Sequence, residues 1–383
     1  MKIAIIGGGV AAFEAAKNIR SLSDEAEVTI YSREAVPPYR RPALSRMAAE
    51  ELADAQFYIK PASFYAENRI GLELGRTLCA IDTKTKTLTF DSGVPAHYDR
   101  LLLATGSHCF YPPVPGMDLD GVMSLREYAD LQKLRARLDA GVKRAAVIGG
   151  GLLGLELAQS LLERGCTVTV IEGSSLLLPR NLDEEAAGVV LKRLAGIDNL
   201  TLRFGCSVKE VAGKDGRAVG VTLADGTCEA DLVMVSAGVR ANIEVAAAAG
   251  IPCNRGIVAD SCLRTGVAEI YAAGDCAEVA GASYGLYDAA RSMGSVAARN
   301  LLGEEQPFVS QAYPARLSVF GVKLFSAGKL AGARSETTQD AAAGTFRKLF
   351  YDDSNRLIGC ILVGDLREAV KLQSQIIPVR ERA

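Results

Sequence analysis

The fold is decided by the stretch Ala145-Ala146-Val147-Ile148-Gly149-Gly150-Gly151-Leu152-Leu153-Gly154. An apolar run that predicts a strand enters a G-x-G-x-x-G turn, which continues into a helical pattern over residues 155–164. A second apolar strand follows at residues 168–171, and Glu172 closes it. In such a unit Gly149 permits the tight turn, Gly151 lets backbone approach a pyrophosphate, and Gly154 lets the helix pack on the strand. An acid at the position of Glu172 accepts from a ribose, so this unit is predicted to bind a dinucleotide.

The N-terminus repeats this pattern of strand, turn, helix and strand. Residues 2–31 contain the turn Gly7-Gly8-Gly9-Val10-Ala11-Ala12, in which Gly7, Gly9 and Ala12 take the places of the three glycines above. The sequence therefore predicts two dinucleotide-binding units in one chain. The place of Glu172 is taken by Ser32 in the first unit, and Glu34 follows two residues later. Which of these two side chains contacts the ribose of the first nucleotide stays open.

Composition and charge exclude several classes of protein. The chain has 383 residues and a net charge of −2, so we expect two or three globular domains and no nucleic-acid partner. No apolar run reaches the roughly 18 residues of a membrane span, and the N-terminus lacks a signal-peptide pattern, so we expect a cytoplasmic protein. The nine cysteines show neither a C-x-x-C pair nor a zinc or iron–sulfur spacing, so no metal site is predicted.

Four further segments carry recognisable features. A stiff cationic loop, Pro37-Pro38-Tyr39-Arg40-Arg41-Pro42-Ala43-Leu44-Ser45-Arg46, presents guanidinium groups that suit phosphate oxygens. Two buried strands end in short turns, one at Thr105-Gly106 and the other at Gly274-Asp275. A long helix is predicted over residues 288–302. Residues 308–377 have the pattern of several strands followed by a last helix.

In this order, the motifs resemble the flavoproteins with two dinucleotide-binding domains, the pyridine nucleotide-disulfide oxidoreductase superfamily. They are most similar to the branch that contains the rubredoxin, flavorubredoxin and ferredoxin reductases and the FAD part of NADH-dependent nitrite reductases. The resemblance implies an α/β fold with two Rossmann-like domains, for FAD and NAD, and a small α+β C-terminal domain. It places the FAD domain at residues 1–110 and 230–305, the NAD domain at 111–229 and the C-terminal domain at 306–383.

The resemblance also implies which residues bind the two cofactors. Arg41 is expected at the FAD phosphates, Ala80 at the adenine through its backbone, and Asp275 at a ribityl hydroxyl. The residues expected at FAD are Gly7, Gly9, Ala12, Ser32, Glu34, Arg41, Ala80, Thr105, Gly106, Gly274, Asp275, Leu286 and Tyr287. Those expected at NADH are Gly149, Gly151, Gly154, Glu172 and Gly238.

Two charged residues are expected at the catalytic centre. Glu156 follows Gly154 by two residues, and its simplest role there is to complement the dipole of the helix. The resemblance instead pairs an acid at this position with a basic residue near flavin N5, where related reductases have a lysine and this chain has Arg46. Because arginine keeps its proton and holds a fixed fork, we predict an Arg46–Glu156 ion pair and assign both residues to catalysis.

Thiol chemistry is disfavoured. The loop at residues 37–47 has no cysteine, whereas the disulfide and peroxidase branches of the superfamily carry a reactive one there. We therefore expect the flavin to take a hydride from NADH and to pass single electrons to rubredoxin or another iron–sulfur protein. Glu172 is followed by Gly173-Ser174-Ser175 without a basic residue, which favours NAD over NADP.

Two other functions stay open at this point. One is the NADH-oxidising flavin subunit of a larger complex, as in nitrite reductases, with the cluster-binding domains on a separate polypeptide. The other is a flavoprotein that senses NADH and turns over slowly. Tyr284 or Tyr287 is expected either to shield the flavin or only to pack. The short C-terminal domain leaves the oligomeric state open, and the sequence does not identify the acceptor.

Overall fold

The structure, a computed structural model, describes residues 1–376. Its helices are α1 (Val10–Leu22), α2 (Ala43–Ala49), α3 (Asp54–Phe57), α4 (Ala62–Glu67), α5 (Tyr128–Asp139), α6 (Leu152–Glu163), α7 (Glu184–Leu194), α8 (Glu244–Ala248), α9 (Tyr287–Leu301) and α10 (Ala369–Gln375). Its strands are β1 (Lys2–Ile6), β2 (Glu27–Ser32), β3 (Ile70–Leu74), β4 (Leu78–Asp82), β5 (Thr87–Phe90), β6 (Ala96–His97), β7 (Arg100–Leu103), β8 (Ser107–Cys109), β9 (Val122–Met123), β10 (Arg144–Ile148), β11 (Thr167–Glu172), β12 (Leu200–Phe204), β13 (Val208–Lys214), β14 (Arg217–Leu223), β15 (Gly226–Glu229), β16 (Leu232–Val235), β17 (Val239–Ala241), β18 (Ile257–Ala259), β19 (Ile270–Ala272), β20 (Ala277–Val279), β21 (Ala315–Val319), β22 (Val322–Gly328), β23 (Arg334–Asp340), β24 (Thr345–Tyr351) and β25 (Leu357–Val363).

The first unit is built on a parallel sheet with the strand order β19-β7-β1-β2-β3. Its central strand β1 is buried from Ile3 to Ile6, as expected for a parallel strand covered on both faces. Helix α1 follows β1 and packs against α9. The two helices cross closely because Gly294 has no side chain. A Cβ there would lie 2.3 Å from the carbonyl oxygen of Ala11.

The second unit has the same arrangement, with the strand order β12-β11-β10-β16-β9. Strand β10 lies between β11 and β16, just as β1 lies between β2 and β7, and all of these pairs are parallel. The prediction of two Rossmann-like units in an α/β fold is thus confirmed. Strand β16 requires a correction to the predicted boundary at residue 230. It pairs with β10, from Ala145 opposite Leu232 to Ile148 opposite Val235, and so belongs to the second unit.

The third unit is an antiparallel sheet with the strand order β21-β22-β25-β24-β23. One face packs on helices of the second unit, with Leu324 and Ile361 in the same buried cluster as Leu155 and Val190. The other face is covered by α10, whose Leu372 packs near Phe325. The predicted C-terminal sheet domain is therefore confirmed. Residues 377–383 of the predicted domain, including residue 377 at the end of the predicted last helix, lie outside the described residues.

Helix α2 connects the first two units. Its Leu44, Met47 and Ala48 are buried in one cluster with Leu157 and Leu161 of α6. The loop before α2 is the cationic segment that starts at residue 37, and α6 starts in the glycine-rich turn of the second unit. The packing of α2 on α6 therefore sets the distance between the two predicted cofactor sites.

Candidate functional site

The first turn, residues 7–12, joins β1 to α1 in a conformation that its small residues make accessible. Gly7 has a φ of +132°, and a Cβ there would lie 2.0 Å from the carbonyl oxygen of Ala104. Gly9 is the N-cap of α1, and a Cβ there would meet nothing within 4 Å. Ala12 is fully buried beneath the turn. The start of α1 therefore offers backbone N–H groups, with no side-chain cap, to the open space beside Gly9.

The second turn, residues 149–154, has matching geometry. Gly149 has a φ of +114°, and a Cβ there would lie 2.3 Å from the carbonyl oxygen of Ser236. Gly151 is the N-cap of α6 and, like Gly9, faces open space. A Cβ at Gly154 would lie 2.0 Å from the carbonyl oxygen of Gly149. In each turn some small residues are required by contacts within the chain. One glycine, Gly9 or Gly151, has no such contact and would be required only by a bound group.

Glu172 lies directly against the second turn. Its Oε2 accepts from the backbone N–H of Gly150 at 2.8 Å, and its Oε1 accepts from that of Ser174 at 2.8 Å. These bonds hold the carboxylate beside the turn at the end of β11. An acid held there is positioned for ribose hydroxyls.

Ser32 and Glu34 divide the corresponding position in the first unit. Ser32 is only 2% exposed, and its Oγ lies 2.5 Å from where a Cβ of Gly8 would stand. Glu34 instead faces the cationic loop, where Oε1 accepts from Arg41 at 2.6 Å and Oε2 accepts from the hydroxyl of Tyr39 at 2.7 Å. Ser32 therefore occupies the place that Glu172 has in the second unit, while Glu34 organises the loop.

Arg41 is held tightly in this loop. Besides Glu34, it donates to the backbone carbonyl of Arg126 at 2.6 Å and to the hydroxyl of Tyr39 at 3.2 Å. Burial raises the pKa of Tyr39 above its usual range, so its hydroxyl keeps the proton that it donates to Glu34. The guanidinium of Arg41 is thus oriented by protein groups on several sides.

Asp275 lies in a cluster that sequence reasoning missed in part. Its Oδ2 accepts from Arg126 Nη2 at 2.7 Å and from Ser107 Oγ at 3.0 Å. Arg126 also donates through Nε to the carbonyl of Ser107 at 3.1 Å. Arg126 and Ser107 lie 149 and 168 residues away from Asp275 in the sequence. The only signal of Arg126 is its place between a proline-rich linker and a helix, which many surface arginines share.

Several predicted FAD residues are brought together around the start of α1. Gly274 has a φ of +82°, and a Cβ there would lie 3.1 Å from the Cβ of Ala11 and 3.7 Å from that of Ala290. Leu286 is the N-cap of α9 and makes no side-chain cap, so the N–H groups at the start of this helix are also available. The first turn, the Gly-Asp turn and the start of α9 therefore share one region. Ala80 lies on β4, in the small sheet β4-β5-β6, and is exposed.

Thr105 and Gly106 lie where the chain passes between the first two units. Thr105 Oγ1 donates to the carbonyl of Asn242 at 2.8 Å, and Asn242 Nδ2 donates back to the carbonyl of Thr105 at 2.8 Å. Gly106 and Gly238 both have positive φ, of +69° and +101°, and a Cβ on either would meet nothing within 4 Å. Strands β8 and β17, in which the chain passes between the first two units, pair with each other as a short antiparallel ribbon.

The predicted Arg46–Glu156 ion pair is wrong. Arg46 pairs with the exposed Glu50, four residues further along and just after the end of α2. Glu156 Oε2 instead accepts from Ser45 Oγ at 2.9 Å. Ser45 is 7% exposed, because one residue earlier on α2 the side chain faces α6. Burial raises the pKa of Glu156 above its usual value, and the hydrogen bond from Ser45 offsets part of that rise.

Arg46 lines a cleft of about 390 Å³ together with Arg40 and Tyr287. Tyr287 is the first residue of α9, and burial raises the pKa of its hydroxyl. Arg40 donates to the backbone carbonyls of Ala55 at 3.1 Å and of Gln56 at 3.2 Å. The cleft is therefore cationic and opens beside the helix start that is predicted to face the flavin.

The donor sets fit the two expected cofactors. Gly9 and Gly151 leave space where a side chain would block a pyrophosphate, and both helices start there with unpaired N–H groups. Ser32 and Gly274 lie against the first turn, and Glu172 lies against the second. In residues 1–376 we find no group of three or more His, Cys, Asp or Glu arranged for a metal ion. None of the helices there combines the length and apolar character of a membrane span.

Comparison with known proteins agrees with this arrangement. Residues 1–294 match the pyridine nucleotide-disulphide oxidoreductase family, and residues 314–377 match the C-terminal domain of rubredoxin NAD+ reductase. Over 98% of its length the chain is 35% identical to the NAD(P)H nitrite reductase of Bacillus subtilis, and the match covers 47% of that protein. The assimilatory nitrate reductase electron transfer subunit of the same organism is 33% identical, with 50% of it covered. The chain thus spans about half the length of these two relatives.

Matches to shorter relatives cover almost the whole length of both aligned chains. The rubredoxin-NAD+ reductase of Alcanivorax borkumensis is 29% identical, and the match covers 98% of each chain. The ferredoxin reductase for the CYP199A2 system of Rhodopseudomonas palustris has a TM-score of 0.90 and 28% identity, with 98% of this chain and 96% of that chain covered. The rubredoxin and ferredoxin reductases of the family use FAD and NADH. This chain, with its two dinucleotide-binding units and its C-terminal sheet, belongs to the pyridine nucleotide-disulphide oxidoreductase family.

Proposed function

We propose that this chain is an FAD-dependent reductase that oxidises NADH and passes single electrons to an iron–sulfur protein of the rubredoxin or ferredoxin type. FAD, when bound, supplies the chemistry that links a two-electron donor to a one-electron acceptor. The chain contributes two preformed turns, at Gly7–Ala12 and Gly149–Gly154, and the packing of α2 on α6 that sets their spacing. Positioning of this kind accounts for much of the acceleration in a reaction between two bound groups.

One observation carries this proposal. Where the two units meet, Ser45 of α2 contacts Glu156 of α6, and the loop and helix from residue 37 to residue 49 contain no cysteine. A thiol at this junction would relay electrons to a disulfide or a peroxide. Without one, the electrons leave from the flavin itself, and a one-electron protein acceptor suits that exit.

The residues take the following roles in the proposal. Arg41, Arg126 and Asp275 orient FAD from the side of the first turn, and Glu172 selects NADH through its ribose. Those that complete the FAD site are Gly7, Gly9, Ala12, Ser32, Glu34, Ala80, Thr105, Gly106, Gly274, Leu286 and Tyr287. Gly149, Gly151, Gly154 and Gly238 complete the NADH site. We assign Glu156, which is hydrogen-bonded to Ser45, to the junction of the two sites. We assign Arg46 to the cleft beside Tyr287.

The domain division and the location follow the same reasoning. We infer an FAD domain of residues 1–110 that resumes after Val235, an NAD domain between them and a C-terminal domain from residue 306, since β16 belongs to the second sheet. All nine cysteines are free, which is typical of a reducing compartment and supports the cytoplasm.

A second function is favoured by the length of the relatives. The chain matches 47% of a nitrite reductase over nearly its whole length, so the same fold serves there as one part of a larger protein. In that case the acceptor of this chain would be a cluster-binding partner of a nitrite-reducing assembly. The two functions share the NADH half-reaction and differ only in the acceptor.

Anaerobic mixing of the FAD-loaded protein with NADH, followed by oxidised rubredoxin or ferredoxin, tests the proposal. Rapid loss of flavin absorbance and then catalytic reduction of the acceptor would support the reductase. Rapid flavin reduction without turnover on either acceptor, but with turnover on a cluster-binding nitrite-reducing partner, would favour the second function. A long-lived complex of NADH and flavin with negligible turnover on any acceptor would contradict both and indicate a sensor of NADH.

A further inference from the structure

A second cationic site lies near the C-terminal end of α1, whereas the first turn lies at the N-terminal end of this helix. A cleft of about 290 Å³ opens between the C-terminal half of α1, helix α4 and the start of β3. Its lining residues are Lys17, Arg20, Ser21, Lys60, Phe64, Asn68 and Ile70. At about 1.5 Å of rise per residue, Lys17 is about 12 Å along the helix from Gly9. The cleft is therefore separate from the dinucleotide turns.

The charge of this cleft is unbalanced. Within the described residues no carboxylate lines it, while three cationic side chains do. Lys17 pairs at 3.1 Å with Glu14, but that carboxylate is shared with Arg291 at 3.4 Å. Lys60 makes no ion pair with any residue in 1–376, and its ammonium lies 5.4 Å from the centre of the Phe64 ring. A cleft of this composition favours an anion.

Arg20 shapes the floor of the cleft. Its Nη1 donates to the backbone carbonyls of Ser23 and Asp24, both at 3.0 Å, and its Nη2 donates to those of Ala26 at 2.7 Å and Arg69 at 3.0 Å. These four neutral acceptors fix the guanidinium without cancelling its charge. The cation is therefore built into the fold, whereas the two lysines remain able to follow a ligand.

The other lining residues favour a ring that carries an amino group. Phe64 is half-buried and packs against Phe13 with ring centres 5.9 Å apart, and the exposed side chain of Lys60 holds its ammonium over the Phe64 ring, where a stacked base would displace it toward the phosphates. Asn68 donates its amide to the carbonyl of Phe64 at 2.7 Å, so its Oδ1 stays able to accept. Ser21 likewise donates to the carbonyl of Lys17 at 3.0 Å and keeps its oxygen lone pairs. Acceptors beside an aromatic face suit the exocyclic amine of a stacked base.

We propose that this cleft binds an adenosine phosphate, with the base on Phe64 and Asn68 and the phosphates on Lys17 and Lys60. Its volume of about 290 Å³ is at the lower end of the range of small-molecule sites. The site is independent of the NADH site, and it stands whether or not the acceptor of the reductase is an iron–sulfur protein.

Calorimetric titration of the FAD-loaded protein with ADP tests this site, with NAD+ at saturation so that the second turn is occupied. One ADP per chain should still bind. Lys17→Glu with Lys60→Glu should weaken that binding at least about tenfold, because two charge-assisted contacts are lost. Phe64→Ala should weaken it at least about fivefold through lost stacking. The matched control is Lys84→Glu with Lys209→Glu, two exposed lysines elsewhere, and it should bind ADP as the parent does.

Other outcomes would overturn the assignment. Absence of ADP binding in the presence of NAD+ would remove the site. Inorganic pyrophosphate binding as tightly as ADP would show that the ring contributes nothing, and adenosine binding as tightly would show the same for the phosphates. FAD content and thermal unfolding verify that the variants fold. Photolabelling of the parent protein with 8-azido-ADP, again with NAD+ at saturation, gives a measurement without variants. The label should map to residues 60–70, and labelling elsewhere under these conditions would contradict the proposal.

Discussion

Gly151→Ala separates what the fold needs from what the ligand needs. Gly151 has φ and ψ of −75° and −178°, an extended conformation that any residue adopts. Its added Cβ would meet no protein atom within 4 Å. The substitution should therefore change the free energy of unfolding by less than about 1 kcal/mol, the scale of an N-cap exchange. For a chain of this size we expect the melting temperature to move by only a few degrees.

The substitution should instead weaken the binding of NADH. The methyl group would occupy the space through which a pyrophosphate approaches the N–H groups at the start of α6. Losing one charge-assisted hydrogen bond is worth about 1.5–3 kcal/mol, which corresponds to about a tenfold to a hundredfold weaker affinity. Stopped-flow measurement of flavin reduction against NADH concentration should show that shift in the half-saturating concentration. The limiting rate at saturation should change by less than about twofold, and FAD content should stay at the parent level.

Gly154→Ala and Gly9→Ala are the matched controls. A Cβ at Gly154 would lie 2.0 Å from the carbonyl oxygen of Gly149, so this variant should lose stability before any effect on NADH can be read. Gly9→Ala should keep the fold and lose FAD, because Gly9 has the same open surroundings in the first turn. An unchanged half-saturating NADH concentration in Gly151→Ala would refute the reasoning, and so would unfolding of that variant.

Three further predictions follow from the described contacts. Glu172→Ala combined with Gly173→Arg should reverse the preference from NADH towards NADPH, seen as opposite changes in kcat/KM for the two donors, because a cation replaces the acid at the ribose. Burial raises the pKa of Glu156 above its value in the unfolded chain, so the folded protein loses stability as the pH rises from about 4 through the folded pKa. Glu156→Gln removes the ionisable group. It should therefore raise the melting temperature at about pH 8 and leave it unchanged at about pH 4. Lys348, 8% exposed and 2.6 Å from Asp183, links the third unit to α7, and Lys348→Met should lower the free energy of unfolding by about 1–3 kcal/mol in a urea titration.

The glycine-rich turns were predictable because their physical requirements leave a mark in the sequence. A position with φ above +100°, such as Gly7 or Gly149, strongly favours glycine, and a helix that crosses a backbone oxygen at the distance of Gly154 excludes a side chain. Because the same pattern occurs twice in the chain, the sequence predicts two units. A glycine that the local backbone conformation requires can be recognised in the sequence without knowledge of distant contacts.

The ion-pair error has the opposite origin. Ser45 and Arg46 are adjacent in sequence, and on a helix they point about 100° apart, since 3.6 residues make one turn. Which of them meets Glu156 depends on how α2 rotates as Leu44 and Met47 are buried against α6. The sequence contains both a plausible partner and an alternative one, and only packing decides between them.

The role of Arg126 and the membership of β16 could not be predicted for a related reason. Arg126 reaches Asp275 across 149 residues, and no local pattern encodes a contact at that separation. The apolar run Leu232–Val235 would suit a buried strand of either sheet equally well. Burial on both faces makes the strands of two parallel sheets alike in sequence, so the boundary between the units is set by pairing that only the fold reveals.

The bonds between α2 and α6 explain why Arg46 lies away from the contact between these two helices. Ser160 of α6 donates to the carbonyl of Ser45 at 2.7 Å, and Arg164 donates to the carbonyl of Ala48 at 3.2 Å. With the bond from Ser45 to Glu156, three hydrogen bonds join α2 to α6, and two of them use the backbone of α2. The side chains on the opposite face of α2 are therefore not needed to position the two turns. That face carries Arg46, which pairs with Glu50 and lines the cleft beside Tyr287, so a substitution at Arg46 should leave the packing of α2 on α6 in place.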